Sequence, residues 1–200
     1  FATGIAPEAI VAGDFNGDAV TDLVVANGGE NDLSVFLTSS FGSVLTRNDF
    51  RVGSGPVMVR AGDLDGDGDL DLVAANHIKR TLSVLFNDSK GGFASPVDLF
   101  AGGPVRVLAL ADLDGDQDID IATAEGDAGT LLIYRNDGAG SFEAPELVSV
   151  VDGISDLTVA DLTGDGIPDL ALVSQSQNRM VLLINLGNAT FDVNLGTPIG

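Results

Sequence analysis

The sequence predicts an all-β protein, a β-propeller built from four blades that are each a four-stranded antiparallel sheet. An acidic nine-residue segment occurs four times at a spacing of 49 residues, starting at Asp14, Asp63, Asp112 and Asp161. Short apolar runs alternate with turn residues between these segments, and no stretch keeps the apolar period of about 3.6 residues that marks a helix. A repeat of about 40–50 residues with four short strands is typical of propeller blades. The repeat places the blades at about residues 1–49, 50–98, 99–147 and 148–200.

The second repeat shows the order of the elements. Four apolar runs predict its strands, at residues 56–61, 72–75, 82–86 and within 93–100. The acidic loop joins the first two strands, a polar turn joins the second and third, and a glycine-rich turn joins the last two. The third strand recurs at residues 33–37, 131–135 and 180–184. Small and branched apolar residues in the first strands of the later repeats predict that both faces of these strands are buried, at 109–111 and 158–160.

The composition argues against several classes of function. The formal net charge of -21, from 30 acidic and 9 basic residues, disfavours nucleic acid, whose phosphates would be repelled. There is no cysteine for a disulfide or for thiol chemistry. No apolar run approaches the roughly 18 residues of a membrane helix, so we expect no membrane insertion. The single histidine, His77, leaves no candidate for a nucleophile–histidine pair, and we expect the protein not to be an enzyme.

The acidic loops carry the donor pattern of a site for a hard cation. In the second loop, residues 63–71, carboxylates alternate around a glycine. Ca²⁺ takes about six to eight oxygen ligands at roughly 2.3–2.6 Å, whereas Mg²⁺ favours about six ligands near 2.1 Å and keeps its waters. The alternative is a solvated turn without an ion, in which carboxylates this close would repel one another. Four such loops in register favour the metal site over the solvated turn.

These residues resemble a known repeat. The loop pattern Asp-x-[Asp/Asn]-Gly-Asp-x-x-x-Asp, the strand Leu-Ser-Val-Leu-Phe-Asn at 82–87 and the turn Asn-Asp-Gly-Ala-Gly-Ser-Phe at 136–142 are similar to FG-GAP repeats, also called VCBS repeats. Such repeats form the propeller blades of integrin α-subunit heads and of many secreted bacterial proteins. The resemblance covers essentially the whole chain and implies one Ca²⁺ per blade, up to four in all.

The resemblance also implies the ligands of each ion. Loop positions one, three, five and nine give side-chain oxygens, at Asp14, Asn16, Asp18 and Asp22, at Asp63, Asp65, Asp67 and Asp71, at Asp112, Asp114, Asp116 and Asp120, and at Asp161, Thr163, Asp165 and Asp169. Position seven gives a backbone carbonyl, at Val20, Asp69, Asp118 and Ile167. Asn16 and Thr163 are neutral, and affinity follows the charge of the ligands. We therefore expect loops two and three to bind Ca²⁺ more tightly than loops one and four.

The turns between the second and third strands vary most among the repeats, at residues 27–32, 76–80, 125–129 and 174–179. A rigid scaffold that presents variable loops is a common way to build a binding surface. We therefore expect a calcium-stabilised binding or adhesion module of a secreted or cell-surface protein, located outside the cell, with a protein or glycan partner. The alternatives are the propeller scaffold of a polysaccharide-active enzyme, which the resemblance also allows, and a purely structural spacer in a larger protein.

Four repeats leave three arrangements open. The chain is a single propeller domain over residues 1–200, pairs with a second copy as a homodimer, or is part of a larger ring. An unclosed set of blades would expose the outer faces of blades one and four, and an apolar patch of that size would drive association. Two sequons for N-glycosylation, at 87–89 and 188–190, lie in the turn that follows the third strand.

Overall fold

The computed structural model describes residues 1–126 and 128–194, and this part of the chain contains sixteen β-strands and no helix. The strands of the first repeat are β1 (Pro7–Gly13), β2 (Asp22–Asn27), β3 (Asp32–Thr38) and β4 (Val44–Arg51). Those of the second are β5 (Pro56–Gly62), β6 (Asp71–Asn76), β7 (Thr81–Leu85) and β8 (Val97–Phe100). Those of the third are β9 (Val105–Ala111), β10 (Asp120–Glu125), β11 (Thr130–Tyr134) and β12 (Glu146–Ser149). Those of the fourth are β13 (Ile154–Ala160), β14 (Asp169–Ser174), β15 (Arg179–Asn185) and β16 (Phe191–Asn194).

Each repeat forms its own sheet, in which the four strands are neighbours in sequence order and every pair is antiparallel. The predicted all-β class and the four four-stranded blades are thereby confirmed. The strand predicted within residues 93–100 is β8, which begins only after Pro96, because proline has no amide hydrogen to donate to a neighbouring strand. Asp127, in the variable segment 125–129, and residues 195–200 of the fourth repeat lie outside the described residues. Among the described residues there is no helix with the length and apolarity that crossing a membrane requires.

The contacts divide the chain into two compact units, Phe1–Pro104 and Val105–Gly200. The first unit holds blades one and two, and the second holds blades three and four. The prediction of one domain over residues 1–200 stays a prediction.

In each unit the two sheets pack face to face through an apolar core. In the first unit, Val24, Ala26 and Val35 of blade one pack with Val59 and Leu72 of blade two. Full burial of an aliphatic side chain of this size contributes about 1.5–3 kcal/mol. The second and third strands supply most of this core because each has a hydrogen-bonded neighbour on both sides, and β6 and β7 are buried along their whole length.

The first strand of the fourth blade is more exposed than the sequence suggests. In the second unit, Val107 and Ala109 of β9 are buried in the core that blade three shares with blade four. Thr158 and Ala160 of β13 are exposed, so the prediction that both faces of this strand are buried is wrong. The physical reason is that β9 has a following blade in its unit, whereas β13 has none on its far side.

Candidate metal-binding loops

Every acidic loop lies between the first and second strands of its blade. The second loop follows β5 and runs into β6, whose first residue is the ninth loop residue, Asp71. The other ninth residues likewise begin the second strands, at Asp22, Asp120 and Asp169. The strand therefore fixes one end of the loop, and the loop's own hydrogen bonds shape the rest.

The first aspartate of each loop accepts hydrogen bonds from the loop's own backbone. In loop two, Asp63 Oδ1 accepts from the amide of Gly66 at 2.8 Å and Oδ2 accepts from the amide of Gly68 at 3.0 Å. The equivalent bonds to Oδ1 and Oδ2 recur in the other three loops, at Asp14, Asp112 and Asp161. These bonds curl each loop around one carboxylate.

The curled loop requires left-handed backbone at its sixth position. Loops two and four have glycine there, whereas loops one and three have Ala19 and Gln117, with φ angles of 62° and 80°. A non-glycine residue in this region costs of order 1 kcal/mol or more and persists only where its surroundings hold it. Because the residue type differs among the four loops, the sequence pattern alone does not reveal this requirement.

The ninth aspartate is buried, and both of its oxygens accept backbone hydrogen bonds. Asp71 is 1% exposed, and it accepts from the amide of Leu64 at 2.9 Å and from the amide of Asn87 at 2.8 Å. The same two bonds are made by the other ninth residues, Asp22, Asp120 and Asp169. Each carboxylate thus joins its own loop to the turn that follows the third strand.

The electrostatics of loops two and three favour a bound cation. Burial raises the pKa of Asp71 and of Asp120 to about 6, the backbone hydrogen bonds partly offset this rise, and the neighbouring carboxylates add to it. Loss of water and repulsion between like charges both disfavour the ionised form. A divalent cation among these oxygens would remove the repulsion.

Loops two and three also bring three carboxylates together. The groups Asp63, Asp65 and Asp71 and Asp112, Asp114 and Asp116 each offer one oxygen per residue, and the oxygens of a group lie within 4.8 Å of one another. Two oxygens that bind one Ca²⁺ at roughly 2.4 Å are at most about 4.8 Å apart. The residues present therefore fit a Ca²⁺ site in both loops. Loops one and four, with Asn16 and Thr163, form no such acidic group among the described residues.

In loops two and three the side chain at position seven lies against the turn that follows the third strand. Asp69 accepts a hydrogen bond from the hydroxyl of Ser89. A Cβ atom added at Gly138 would lie 2.5 Å from Asp118 Oδ2. Both contacts are with the turn after the third strand, which is compatible with the predicted use of the backbone carbonyl at this position. The ligand roles of Asp69, Asp118, Val20 and Ile167 stay predictions, as do those of all the side-chain ligands.

The structure gives a role to an asparagine that the sequence showed only as a recurring residue. Asn87 Nδ2 donates to the carbonyl of Phe15 in loop one and to that of Leu70 in loop two, both at 3.0 Å. Asn185 makes the equivalent bonds in the second unit, to Leu113 at 2.8 Å and Pro168 at 3.1 Å. The asparagine therefore fastens two neighbouring loops together. The side-chain nitrogen of Asn87, which N-glycosylation would modify, is thus hydrogen-bonded to two backbone carbonyls.

We expect calcium titration to resolve tighter sites in loops two and three. The double variant Asp65→Asn/Asp114→Asn places a neutral oxygen where loop one has Asn16, and it should weaken the tighter sites by about tenfold or more, because affinity depends on ligand charge. Isothermal titration calorimetry measures both classes of site. Asp192→Asn removes a carboxylate outside the loops and is the matched control. Tighter sites that survive in the double variant would contradict the assignment.

Comparison with known proteins gives the context of these loops. A profile of the FG-GAP-like repeat matches residues 14–74, 63–123 and 112–172. A search of curated protein sequences finds no match. Among solved structures, an Agrocybe aegerita lectin that recognises non-reducing terminal N-acetylglucosamine is similar, with 20% identity, a TM-score of 0.67 and coverage of 91% of this chain and 50% of the lectin.

Two further solved structures are similar. A Bacteroides uniformis protein, provisionally described as a 6-phosphogluconolactonase, has 14% identity, a TM-score of 0.71 and coverage of 96% of this chain and 57% of its own. BBS1N, solved in complex with ARL6DN, has 12% identity, a TM-score of 0.63 and coverage of 96% and 57%. The chain spans about half the length of the structures it matches. At these identities the likeness concerns the fold alone, and it agrees with the predicted β-propeller class.

Proposed function

This chain belongs to the FG-GAP-like repeat family, and from that premise we propose that it is a calcium-stabilised β-propeller module that binds a protein or glycan partner outside the cell. The observation that carries the proposal is the shared architecture of the four loops, each with a first aspartate held by loop amides and a buried ninth aspartate. A scaffold fixed so firmly at one end of its blades suits the presentation of variable segments at the other end.

The proposed ion has a structural role. In loop two Ca²⁺ would be held by the grouped carboxylates of Asp63, Asp65 and Asp71. In loop three it would be held by those of Asp112, Asp114 and Asp116. Asp67 and Asp120 would complete the two sets, as the resemblance implies. It would supply positive charge to carboxylates that otherwise repel one another. The one histidine and the absence of cysteine in the chain support a non-catalytic module.

The proposed binding end lies opposite the acidic loops. In the first unit the variable segments join β2 to β3 and β6 to β7, at the far ends of the strands that the loops begin. A surface cavity of about 250 Å³ lies between them, and its lining includes Glu8, His77, Ile78 and the backbone of Gly28 and Gly55. A carboxylate, an imidazole and an exposed aliphatic side chain over rigid backbone can contact the hydroxyls and the apolar face of a sugar, or a peptide side chain.

The backbone around this cavity is fixed by hydrogen bonds. The amide of Gly28 donates to the carbonyl of Ala6 at 2.8 Å, and the amide of His77 donates to the carbonyl of Gly55 at 2.9 Å. Side chains at this end can therefore be changed with little effect on the scaffold. Lys79 pairs with Asp98, but an exposed ion pair of this kind contributes only about 0–1 kcal/mol.

We expect the triple variant His77→Ala/Ile78→Ala/Lys79→Ala to lose partner binding while it melts at the same temperature as the wild type. The probe is a glycan array that includes non-reducing terminal N-acetylglucosamine, read together with a panel of immobilised extracellular matrix proteins. Any bound probe should bind the variant at least about tenfold more weakly, because His77 and Ile78 line the cavity and Lys79 follows them in the same turn. Lys90→Ala, an exposed lysine in the turn at the acidic-loop end, is the matched control. Binding that falls only in variants that also unfold would contradict the proposed surface.

A further inference from the structure

One side chain breaks the burial pattern of the repeat. Position four of the first strand is occupied by Val59 in blade two and by Leu157 in blade four, and both side chains are buried in the cores of their units. The equivalent residue of blade one, 49 residues before Val59, is Ile10, which is 60% exposed. The sequence keeps a large aliphatic side chain at this position although nothing in the first unit covers it.

The buried examples show what this side chain contacts. In both units the first strand of the following blade packs against the first and second strands of the preceding blade. Val59 is clustered with Val24 and Ala26 of blade one, and Leu157 is clustered with Ala122 and Ala124 of blade three. The receiving surface in both cases is a groove over the first two strands.

Blade four carries the same groove with no occupant in its unit. On blade three the core residues of this groove are Val107, Ala109, Ala122, Ala124 and Leu131. The residues 49 positions later, on blade four, are Asp156, Thr158, Ala171, Val173 and Met180. These five side chains line one cavity of about 130 Å³. Val173 is 41% exposed and Met180 is 58% exposed, whereas their counterparts Ala124 and Leu131 are fully buried. The chain thus has a protruding aliphatic residue on blade one and an open groove at the equivalent receiving position on blade four. The β13 side of this groove is more polar than that of blade three, because Asp156 and Thr158 stand where blade three has Val107 and Ala109.

We propose that the exposed face of blade one, centred on Ile10, docks in the groove of blade four of a second copy of this chain. The contact repeats the blade-to-blade packing that each unit already contains, with Ile10 in the place of Val59 or Leu157. The occupant is a second copy because both surfaces are present on every copy. The pairing is head-to-tail, since a blade-one surface meets a blade-four surface.

Two further observations agree with this occupant. The Agrocybe aegerita lectin is about twice as long as the aligned part of this chain, so two copies hold about as many residues as that one structure.

On blade one the outer part of the face that carries Ile10 is already covered, because the guanidinium of Arg47 lies 5.8 Å from the ring centre of Phe36. The exposed apolar side chain of the inner part is Ile10, which together with the buried Val25 lines a cavity of about 320 Å³. That is the part that the first strands use for packing within the units.

The test is the mass of the 200-residue chain in millimolar Ca²⁺ and about 0.15 M salt, which screens the repulsion between acidic copies. Sedimentation velocity over a concentration series should show the wild type at two copies or more at high concentration, with one copy on dilution. Ile10→Lys and Val173→Lys should each raise the dissociation constant at least about tenfold, because a buried lysine would have to lose its water. Leu147→Lys, which places the same charge on an exposed leucine of β12 in blade three, should leave it unchanged.

A mixing experiment tests the head-to-tail geometry. Ile10→Lys keeps its blade-four groove and Val173→Lys keeps its blade-one face, so an equimolar mixture should form a complex of two copies that neither variant forms alone. Met180→Lys replaces Val173→Lys if the latter melts below the wild type. A wild-type mass of one copy at every concentration would overturn the proposal, as would a mixture that stays at one copy or an equal effect of Leu147→Lys.

Discussion

In millimolar Ca²⁺ the chain is expected to melt about 10–20 °C above its melting temperature in excess EDTA. A site at ten times its dissociation constant adds about 1.4 kcal/mol to the free energy of unfolding, so four sites add about 5–6 kcal/mol. For a protein of this length, each kcal/mol moves the melting temperature by about 2–4 °C. The physical source is relief of repulsion among the loop carboxylates, of which Asp71 and Asp120 are among the most buried. Differential scanning calorimetry of the same sample in both buffers measures the shift.

The controls separate site binding from general screening of the charge of -21. Mg²⁺ at equal concentration has the same charge as Ca²⁺ but fits loops of this kind less well, and it should raise the melting temperature by a much smaller amount. NaCl at matched ionic strength should raise it least. Equal shifts with all three salts, or no shift with Ca²⁺, would show that the loops do not act as calcium sites.

The variant Asp71→Ala is expected to lower the free energy of unfolding by about 2–4 kcal/mol even in EDTA. The buried amide of Leu64 and the partly buried amide of Asn87 both lose this acceptor, and a buried donor that loses its acceptor costs about 1–3 kcal/mol. Removal of a carboxylate whose pKa is raised by burial offsets part of this loss. Urea unfolding in EDTA measures the difference.

Asp67→Ala is the matched comparison within the same loop. Asp67 is exposed, and its Oδ1 accepts one bond at 2.9 Å from the amide of Asp69, which remains accessible to water. This variant should unfold in EDTA like the wild type but lose the calcium-dependent gain of loop two. If Asp71→Ala behaved like Asp67→Ala, the ninth aspartate would be only a metal ligand, and its structural role would be wrong.

The repeat is the reason that so much of the fold could be predicted from the sequence. A strand that is ambiguous in one repeat, such as residues 72–75, recurs in register in the others, and β6 lies within one residue of that prediction at either end. The acidic loops were predictable for the same reason. Carboxylates at alternate positions repel one another, so a pattern that occurs four times in register indicates a cation that balances them.

Other features could not be predicted because they depend on tertiary neighbours. Nothing local distinguishes Ile10 from Val59 or Leu157, and only the packing of the blades shows that one is exposed and two are buried. The resemblance implies that the ninth aspartate is one ligand among several, whereas its burial and its bond to an amide 16 residues later follow from the way the turn closes over the loop. The left-handed backbone at Gln117 is likewise set by the bond from its amide to Asp112.

The bond from Asn87 to Phe15 has a consequence for the order of folding. It joins residues 72 positions apart, so loop one cannot reach its final geometry until the third strand of blade two is in place. The bond from Asn185 to the carbonyl of Leu113 imposes the same order of folding on the second unit. Contacts of such long range slow folding, because the chain must close a large loop before it gains the bond. The elementary cooperative segment of this protein is therefore a pair of consecutive repeats, and a chain that ends after a single repeat would leave its first loop unfinished.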